Sequence, residues 1–447
     1  MPLDPFFAER LRVHRRYMVR KAFGDLKHLL GWPWLSFPAR GEAPTAPAAR
    51  DDAAVMAGAV AEPFSSGPDA APASDRAADV PAKVGPARRA RPEPAGRPPK
   101  QPMTRERKRR AAIAWDRKEL KEVGTPGPRL RTVEHTVAVG GCPDVRVRIY
   151  YPDVPPASEP RDQAGSGDAP TGSRTGDQAG SGDAPTGSRT GDQAGSGDVP
   201  ADSGTTLLPA CVAFFGGAFR IGGIDYPTTD AANRRRAHAS GVAMVAVDYA
   251  LAPEHRYPTQ VEQGHAALTW VFEHATELGL DPGRIGVLGT SAGGCIAAAV
   301  TLVNRDRARL PVRLQVLEVP VTDLTGGHVD MGVPWSLGIP SPLAWAEMRS
   351  IARTYIPEAA RAREPYASPL RATSHAGLPP AVILTAEYDP LRGDGAAYAA
   401  ALRDAGVEAS AVRYLGVTHD IPMFTGVLDS ARRWEADIVS ALRRLHR

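Results

Sequence analysis

Downstream of Leu207 the chain settles into a regular alternation. Short apolar runs of strand length occur at 211–215 (CVAFF), 242–249 (VAMVAVDY), 284–289 (RIGVLG), 314–319 (LQVLEV), 381–387 (AVILTAE) and 410–415 (SAVRYL). Helical segments at 231–240, 260–278, 292–304 and 396–405 are interspersed among them, and a C-terminal helix is predicted over 429–445. Most of the runs are apolar throughout rather than alternating with polar residues, which suits strands buried on both faces. The pattern predicts an α/β fold: a mostly parallel central sheet with helices on both faces. In such a sheet the functional site lies beyond the carboxyl ends of the strands. An earlier run, Val145–Tyr151, reads as one more strand.

Upstream the pattern changes. Phe6, Phe7, Leu11, Met18, Phe23, Leu26, Leu29 and Leu30 recur at mixed three- and four-residue spacings among arginines. Residues 1–37 therefore read as an amphipathic helical segment closed by Trp32-Pro33-Trp34. Residues 38–103 are Ala, Pro, Gly, Ser, Asp and Arg with almost no large apolar side chain, the composition of a disordered linker. Residues 104–130 read as a basic helix and a connection, and 131–447 as the main α/β domain. Inside that domain, residues 157–206 are a low-complexity insertion. The unit DQAGSGDAPTGSRTG runs from Asp162 to Gly176 and again from Asp177 to Gly191, and a third copy starts at Asp192. The unit has no Leu, Ile, Val or aromatic residue, so it cannot stack into a solenoid core. It reads as an overgrown connection between strands, which costs little closure entropy.

Composition narrows the class. Of 447 residues, 43% are hydrophobic and 23% charged, enough apolar material for a large core, while 43 prolines agree with the unfolded stretches. No apolar run reaches the roughly 20 residues of a membrane span. The N-terminus carries charges where a signal peptide needs an apolar stretch, and three scattered cysteines give neither a disulfide framework nor a zinc site. A cytoplasmic setting is expected. Residues 1–121 hold 24 Lys and Arg against 14 Asp and Glu, a net +10, and the remainder carries −6. The basic balance thus belongs to the N-terminal part and says little about what the domain binds.

The chemistry enters with Gly289-Thr290-Ser291-Ala292-Gly293, a G-x-S-x-G pentapeptide between a strand and a helix. A sharp strand-to-helix turn needs small neighbours, and it lifts the Ser291 hydroxyl above the sheet. An unassisted hydroxyl is a poor nucleophile, so a base and an orienting acid are required. His419 follows the strand at 410–415, and Asp389 follows the strand at 381–387. All three therefore occupy strand ends on one edge, in the order nucleophile, acid, base. Glu387, Asp394 and Asp420 are neighbouring carboxylates. Asp389 is preferred because it follows the strand directly and precedes a proline. A glycine-rich turn, Phe214-Phe215-Gly216-Gly217-Ala218-Phe219, would let backbone N–H groups, with that of Ala292, approach a substrate oxyanion.

Taken together, FFGGAF, DYALAPEHRYP (248–258), GTSAGG (289–294), YDPLRGDG (388–395) and THDIPMF (418–424) resemble the hormone-sensitive-lipase-like esterases of the α/β-hydrolase superfamily, in the branch with Thr before the nucleophile. The resemblance runs from about Arg131 to Arg447, apart from the repeats. It implies hydrolysis of carboxylic esters by a Ser291–His419–Asp389 triad, oxyanion donors at Gly217, Ala218 and Ala292, a helical cap, and no cofactor or metal. MPLDP and the segment after it resemble the opening of the family's N-terminal cap. Three positions depart from the pattern. Phe215 stands where a loop-bracing His is usual. Gly393 and Asp394 stand where two acids are usual, and Ala250 replaces a common Arg. Asp248, Tyr249 and Glu254 read as supporting residues.

Residues 325–357, rich in Trp, Pro and Met, read as a cap insertion, with Phe219, Trp335, Leu337 and Trp345 as pocket candidates. The expected activity is hydrolysis of short- to medium-chain esters, with a small-molecule ester as partner. No nucleic acid or integral membrane association is expected, and a homodimer is compatible with the sequence. The competing reading is a non-catalytic ligand-binding protein on the same fold. The basic arm at 83–121, including Arg105, Arg107, Lys108, Arg109 and Arg110, raises a third idea, binding to nucleic acid or an anionic membrane surface, against the simpler one of a solvated, disordered tail.

Overall fold

A computed structural model describes residues 2–12, 104–153 and 207–447. The rest of the amphipathic segment, the linker and the repeats lie outside the described residues. A helix at 5–12 (α1) precedes α2 (Arg105–Glu122), the helix expected from the basic run. Eight strands follow: β1 (Thr132–Val137), β2 (Val145–Tyr150), β3 (Leu208–Phe214), β4 (Ala243–Asp248), β5 (Leu280–Thr290), β6 (Gln315–Glu318), β7 (Ala381–Tyr388) and β8 (Ala409–Thr418). The helices between and after them are α3 (Pro227–Ser240), α4 (Thr259–Glu273), α5 (Ala292–Asp306), α6 (Gly332–Ser336), α7 (Ser341–Tyr355), α8 (Arg392–Asp404) and α9 (Asp429–Arg443).

The strands form one sheet in the order β1-β2-β4-β3-β5-β6-β7-β8. β1 and β2 are antiparallel additions, and β4 through β8 run parallel. Burial follows the apolar pattern. Every residue of β6 is buried, as is all of β3 after Leu208 and all of β4 before Asp248. β1 is half exposed, and its mixed sequence, TVEHTV, gives no apolar run for a strand reading to find. Right-handed crossovers send α3 one way from β3 to β4 and α4 back the other way to β5, on opposite faces. Accordingly α4 packs on α5, while α3 packs on α9. The expected helix at 260–278 stops at Glu273.

β3 lies at the centre, flanked by the strands that follow it in opposite directions. This is the topological switch where the ends of neighbouring strands diverge and leave a crevice. The loop after β3 and the turn after β5 both open into it.

α2 docks on α3 through Asp116, whose carboxylate accepts the Thr228 N–H at 2.8 Å and its hydroxyl at 2.6 Å. An anion there caps the first turn of α3 and meets its positive end. Arg109 pairs with Glu254 at 2.7 Å, and Glu119 receives a two-pronged bond from Arg10 of α1 at 2.7 and 2.8 Å. Part of the basic helix is thus tied to the domain rather than left as a solvated arm.

Candidate active site

The turn between β5 and α5 is built by glycine. A Cβ on Gly289 would lie 2.1 Å from the Gly293 carbonyl oxygen, and one on Gly293 would lie 2.2 Å from that of Phe214. Only bare backbone closes so tightly. Ser291, at the apex, has φ 56°, a left-handed conformation that is strained for a residue with a side chain. Its N–H donates to the Glu318 carbonyl at 2.8 Å, pinning the apex to β6.

Behind the apex lies a buried ionic cluster that sequence reasoning missed. The Glu318 side chain is fully buried. It accepts from Arg236 of α3 at 2.8 and 3.0 Å, from Trp434 of α9 at 2.8 Å and from the Thr290 hydroxyl at 2.9 Å. Arg236 also meets Glu435 at 3.1 Å. Glu in a buried apolar run was the one signal available, and its partner lies 82 residues earlier.

The three sequence-predicted groups meet above the sheet. His419 Nε2 is 2.9 Å from Ser291 Oγ, and Nδ1 is 2.7 Å from Asp389 Oδ2. With a carboxylate at Nδ1, the neutral ring keeps its proton there and leaves Nε2 to accept from the serine. Asp389 is almost wholly buried, and its other oxygen accepts the Leu391 N–H at 2.9 Å. The neighbouring carboxylates are engaged elsewhere. Glu387 accepts the Gly416 N–H at 2.7 Å, and Asp394 accepts those of Thr322 and Asp323 at 2.8 and 3.0 Å. Burial opposes the charged imidazolium of His419, yet the charge and hydrogen bond of Asp389 outweigh it and push His419 up to about 9. Burial pushes the Asp394 carboxyl up to about 7, against its two backbone hydrogen bonds.

The loop after β3 passes close to the serine: a Cβ on Gly216 would sit 3.4 Å from that of Ser291. Gly217 has φ 137°, and a side chain there would strike the Ile221 carbonyl oxygen at 2.0 Å. Ala292 begins α5, whose N-terminus favours negative charge. Phe215 braces the loop without a hydrogen-bonding side chain. Its ring lies flat on Tyr249, with centroids 4.0 Å apart, and the Tyr249 hydroxyl donates to the Phe215 carbonyl at 2.7 Å. Asp248 accepts from Arg146 at 2.9 Å, and Glu254 anchors α2, so both serve as supports. Gly393 has a local reason: a Cβ there would lie 2.0 Å from the His328 carbonyl oxygen.

A cavity of about 720 Å³ opens onto Ser291. Phe219 and Trp345 line it, together with Met348 and Ala352 of α7. Trp335 and Leu337 do not, which corrects the sequence reading. The short α6 turns Val333 and Pro334 inward, so Trp335 points outward and is 71% exposed; Leu337 is buried away from the cavity. Another part of the lining comes from α2 through Ala112, Trp115, Asp116 and Glu119, and from Arg10. Those four α2 positions fall on one helical stripe, a signal present in the sequence but masked by its arginines. Among the described residues no cluster of His, Cys, Asp or Glu could hold a metal ion, and no helix is long and apolar enough to cross a membrane.

Comparison with known proteins agrees with this geometry. A family model for the α/β-hydrolase fold matches residues 211–423. The carboxylesterase NlhH of Mycobacterium tuberculosis is 32% identical over 336 residues, covering 73% of this chain and 88% of that protein. The arylesterase of Saccharolobus solfataricus is 34% identical over 216 residues, 46% of this chain and 66% of that one. Among solved structures, the thermostable carboxylesterase EstE1 from a metagenomic library superposes with a TM-score of 0.60 at 30% identity, covering 77% of this chain and 98% of its own. The Pyrobaculum calidifontis esterase gives 0.59 at 31%, covering 77% and 92%. With the switch-point turn, the glycine-rich loop and these likenesses together, the chain belongs to the hormone-sensitive-lipase-like branch of the α/β-hydrolase family.

Proposed function

We propose that the protein is a serine carboxylesterase that hydrolyses short- to medium-chain carboxylic esters through an acyl-enzyme. The supporting observation is the continuous hydrogen-bonded line from Ser291 Oγ through His419 to Asp389. Ser291 attacks the ester carbonyl while His419 Nε2 takes its proton. The carbonyl oxygen becomes an oxyanion held by the N–H groups of Gly217, Ala218 and Ala292. His419 then protonates the leaving alcohol as the C–O bond breaks. Water, deprotonated by the same imidazole, attacks the acyl carbon, and the tetrahedral intermediate expels Ser291, which recovers its proton. Asp389 fixes the tautomer and balances the imidazolium without itself taking the proton.

The cavity volume and its lining suit an acyl chain of several carbons. In this reading residues 131–447 are the catalytic domain, 325–357 its cap, and α1 and α2 complete the pocket. A cytoplasmic setting fits the cysteine usage. Turnover of p-nitrophenyl esters and labelling by a fluorophosphonate probe test the proposal. Both should be abolished in Ser291→Ala. A folded wild-type protein that neither turns over esters nor takes the label would instead favour a ligand-binding role.

A further inference from the structure

The loop that carries the proposed oxyanion donors is strained at its far end. Ala218 and Phe219, two consecutive residues with side chains, have φ 52° and 61°. Left-handed backbone at such residues costs roughly 1–2 kcal/mol each and persists only where surrounding contacts enforce it. The near end is held by the Phe215–Tyr249 stack. The far end is held by the cap. The Phe219 ring lies face to face on Tyr355, the last residue of α7, at 3.8 Å and 5°. Next in the chain, Arg220 reaches Glu347 of the same helix at 2.7 Å, with both side chains largely shielded from solvent. The Arg220 and Ile221 N–H groups both return to the Gly217 carbonyl at 3.0 Å, so the ion pair closes directly on a residue that supplies a donor. The same α7 lines the cavity with Trp345, Met348 and Ala352.

We infer that Arg220 and Glu347 are positioning residues: their ion pair ties the cap helix to the oxyanion loop and sets the aim of the Gly217 and Ala218 N–H groups. The inference rests on the esterase reading and adds to it a structural route from cap to oxyanion. A cap helix that touches substrate on one face and clamps the loop with another links acyl-chain occupancy to oxyanion geometry. A misaimed donor weakens transition-state binding and leaves ground-state binding nearly untouched. The effect therefore belongs in kcat rather than KM.

The test uses the full-length protein and p-nitrophenyl butyrate, with Arg220→Met, Glu347→Gln, the conservative Arg220→Lys, and the swapped double variant Arg220→Glu/Glu347→Arg. We expect kcat to fall about tenfold in Arg220→Met and Glu347→Gln, with KM within twofold. Affinity for a trifluoromethyl ketone, which forms a tetrahedral oxyanion on the serine, should fall by the same factor, and Arg220→Lys and the swapped variant should recover most of the loss. Melting curves show which variants fold. Folded single variants with unchanged kcat, a loss confined to KM, or losses that multiply in the swapped variant would overturn the inference. An inactive wild type would instead undo the esterase reading itself.

Discussion

Asp389 holds its carboxylate 2.7 Å from Nδ1 of His419 and thereby keeps a mostly buried imidazole more basic than a free one. In the proposed mechanism the working base is the neutral ring, so with His419 pushed up to about 9 most of the free enzyme is protonated at pH 7. The sign follows: kcat/KM should rise with pH, with an apparent pKa near 9 rather than 6.5, and level off above it. A pH series with a neutral ester checks this. Asp389→Asn should lower kcat by roughly 10³–10⁴, because the ring loses both its tautomer and its counter-charge. A profile that levels off by pH 7 would contradict the assignment.

The Phe215–Tyr249 brace makes a second prediction. Tyr249→Phe keeps the stack but removes the hydroxyl that donates to the Phe215 carbonyl, leaving a buried acceptor unpaired. The cost should be about 1–3 kcal/mol of stability, with a several-fold fall in kcat as the loop loosens. Phe215→Ala removes the stack itself and should cost more on both counts. Urea denaturation and steady-state kinetics on the same preparations separate the two effects.

Packing of the 325–357 segment leaves no room for an acid at position 393. The His328 carbonyl oxygen occupies the space a side chain would need. Gly393→Asp should therefore destabilise the fold by roughly 1–3 kcal/mol, measured by thermal unfolding, rather than strengthen the triad. Improved activity in Gly393→Asp would show that this segment gives way.

The sheet and the strand ends that bring Ser291, Asp389 and His419 together were legible because their signals are local. A strand buried on both faces is apolar residue after residue, as in β4, and a turn with a serine between glycines announces its own geometry. What was hidden depends on pairing across the chain. Nothing local in the sequence marks Arg236, whose side chain finds Glu318 of β6 only once the chain has folded. Trp335 reads as a pocket residue from composition alone, but a five-residue helix does not fix which of its faces docks. The polar β1 strand belongs to the sheet through its backbone ladder with β2, which an apolar pattern does not encode.

The Arg236–Glu318 pair carries its own test. Removing one partner strands the other charge in the interior. Arg236→Met should cost about 3–5 kcal/mol, although it replaces a charged side chain with an apolar one of similar length. The apex of the Ser291 turn hangs on the same strand end, since Ser291 donates to the Glu318 carbonyl and Thr290 to its side chain. Activity should therefore be lost at temperatures well below global unfolding, which parallel activity and circular dichroism melts would reveal. Coincident melts would show that the cluster stabilises the fold without bearing on the turn.

If the proposed acyl pocket is right, the wall contributed by α2 should select chain length. Ala112 is buried, faces the cavity and lies one turn from Trp115. Its small side chain leaves room that Ala112→Phe would fill. Hydrolysis of the octanoate ester should fall at least tenfold, while that of the much shorter acetate should change far less. The reverse variant, Trp115→Ala, should widen the cavity and favour longer chains, at a stability cost well below that of emptying a core aromatic site, because Trp115 is only partly buried. Measured as kcat/KM across acetate, butyrate, hexanoate and octanoate, the two variants should move the optimum in opposite directions. Movement in the same direction would place the acyl chain along α7, and the helix read from its arginines as a solvated arm would then be no more than a support.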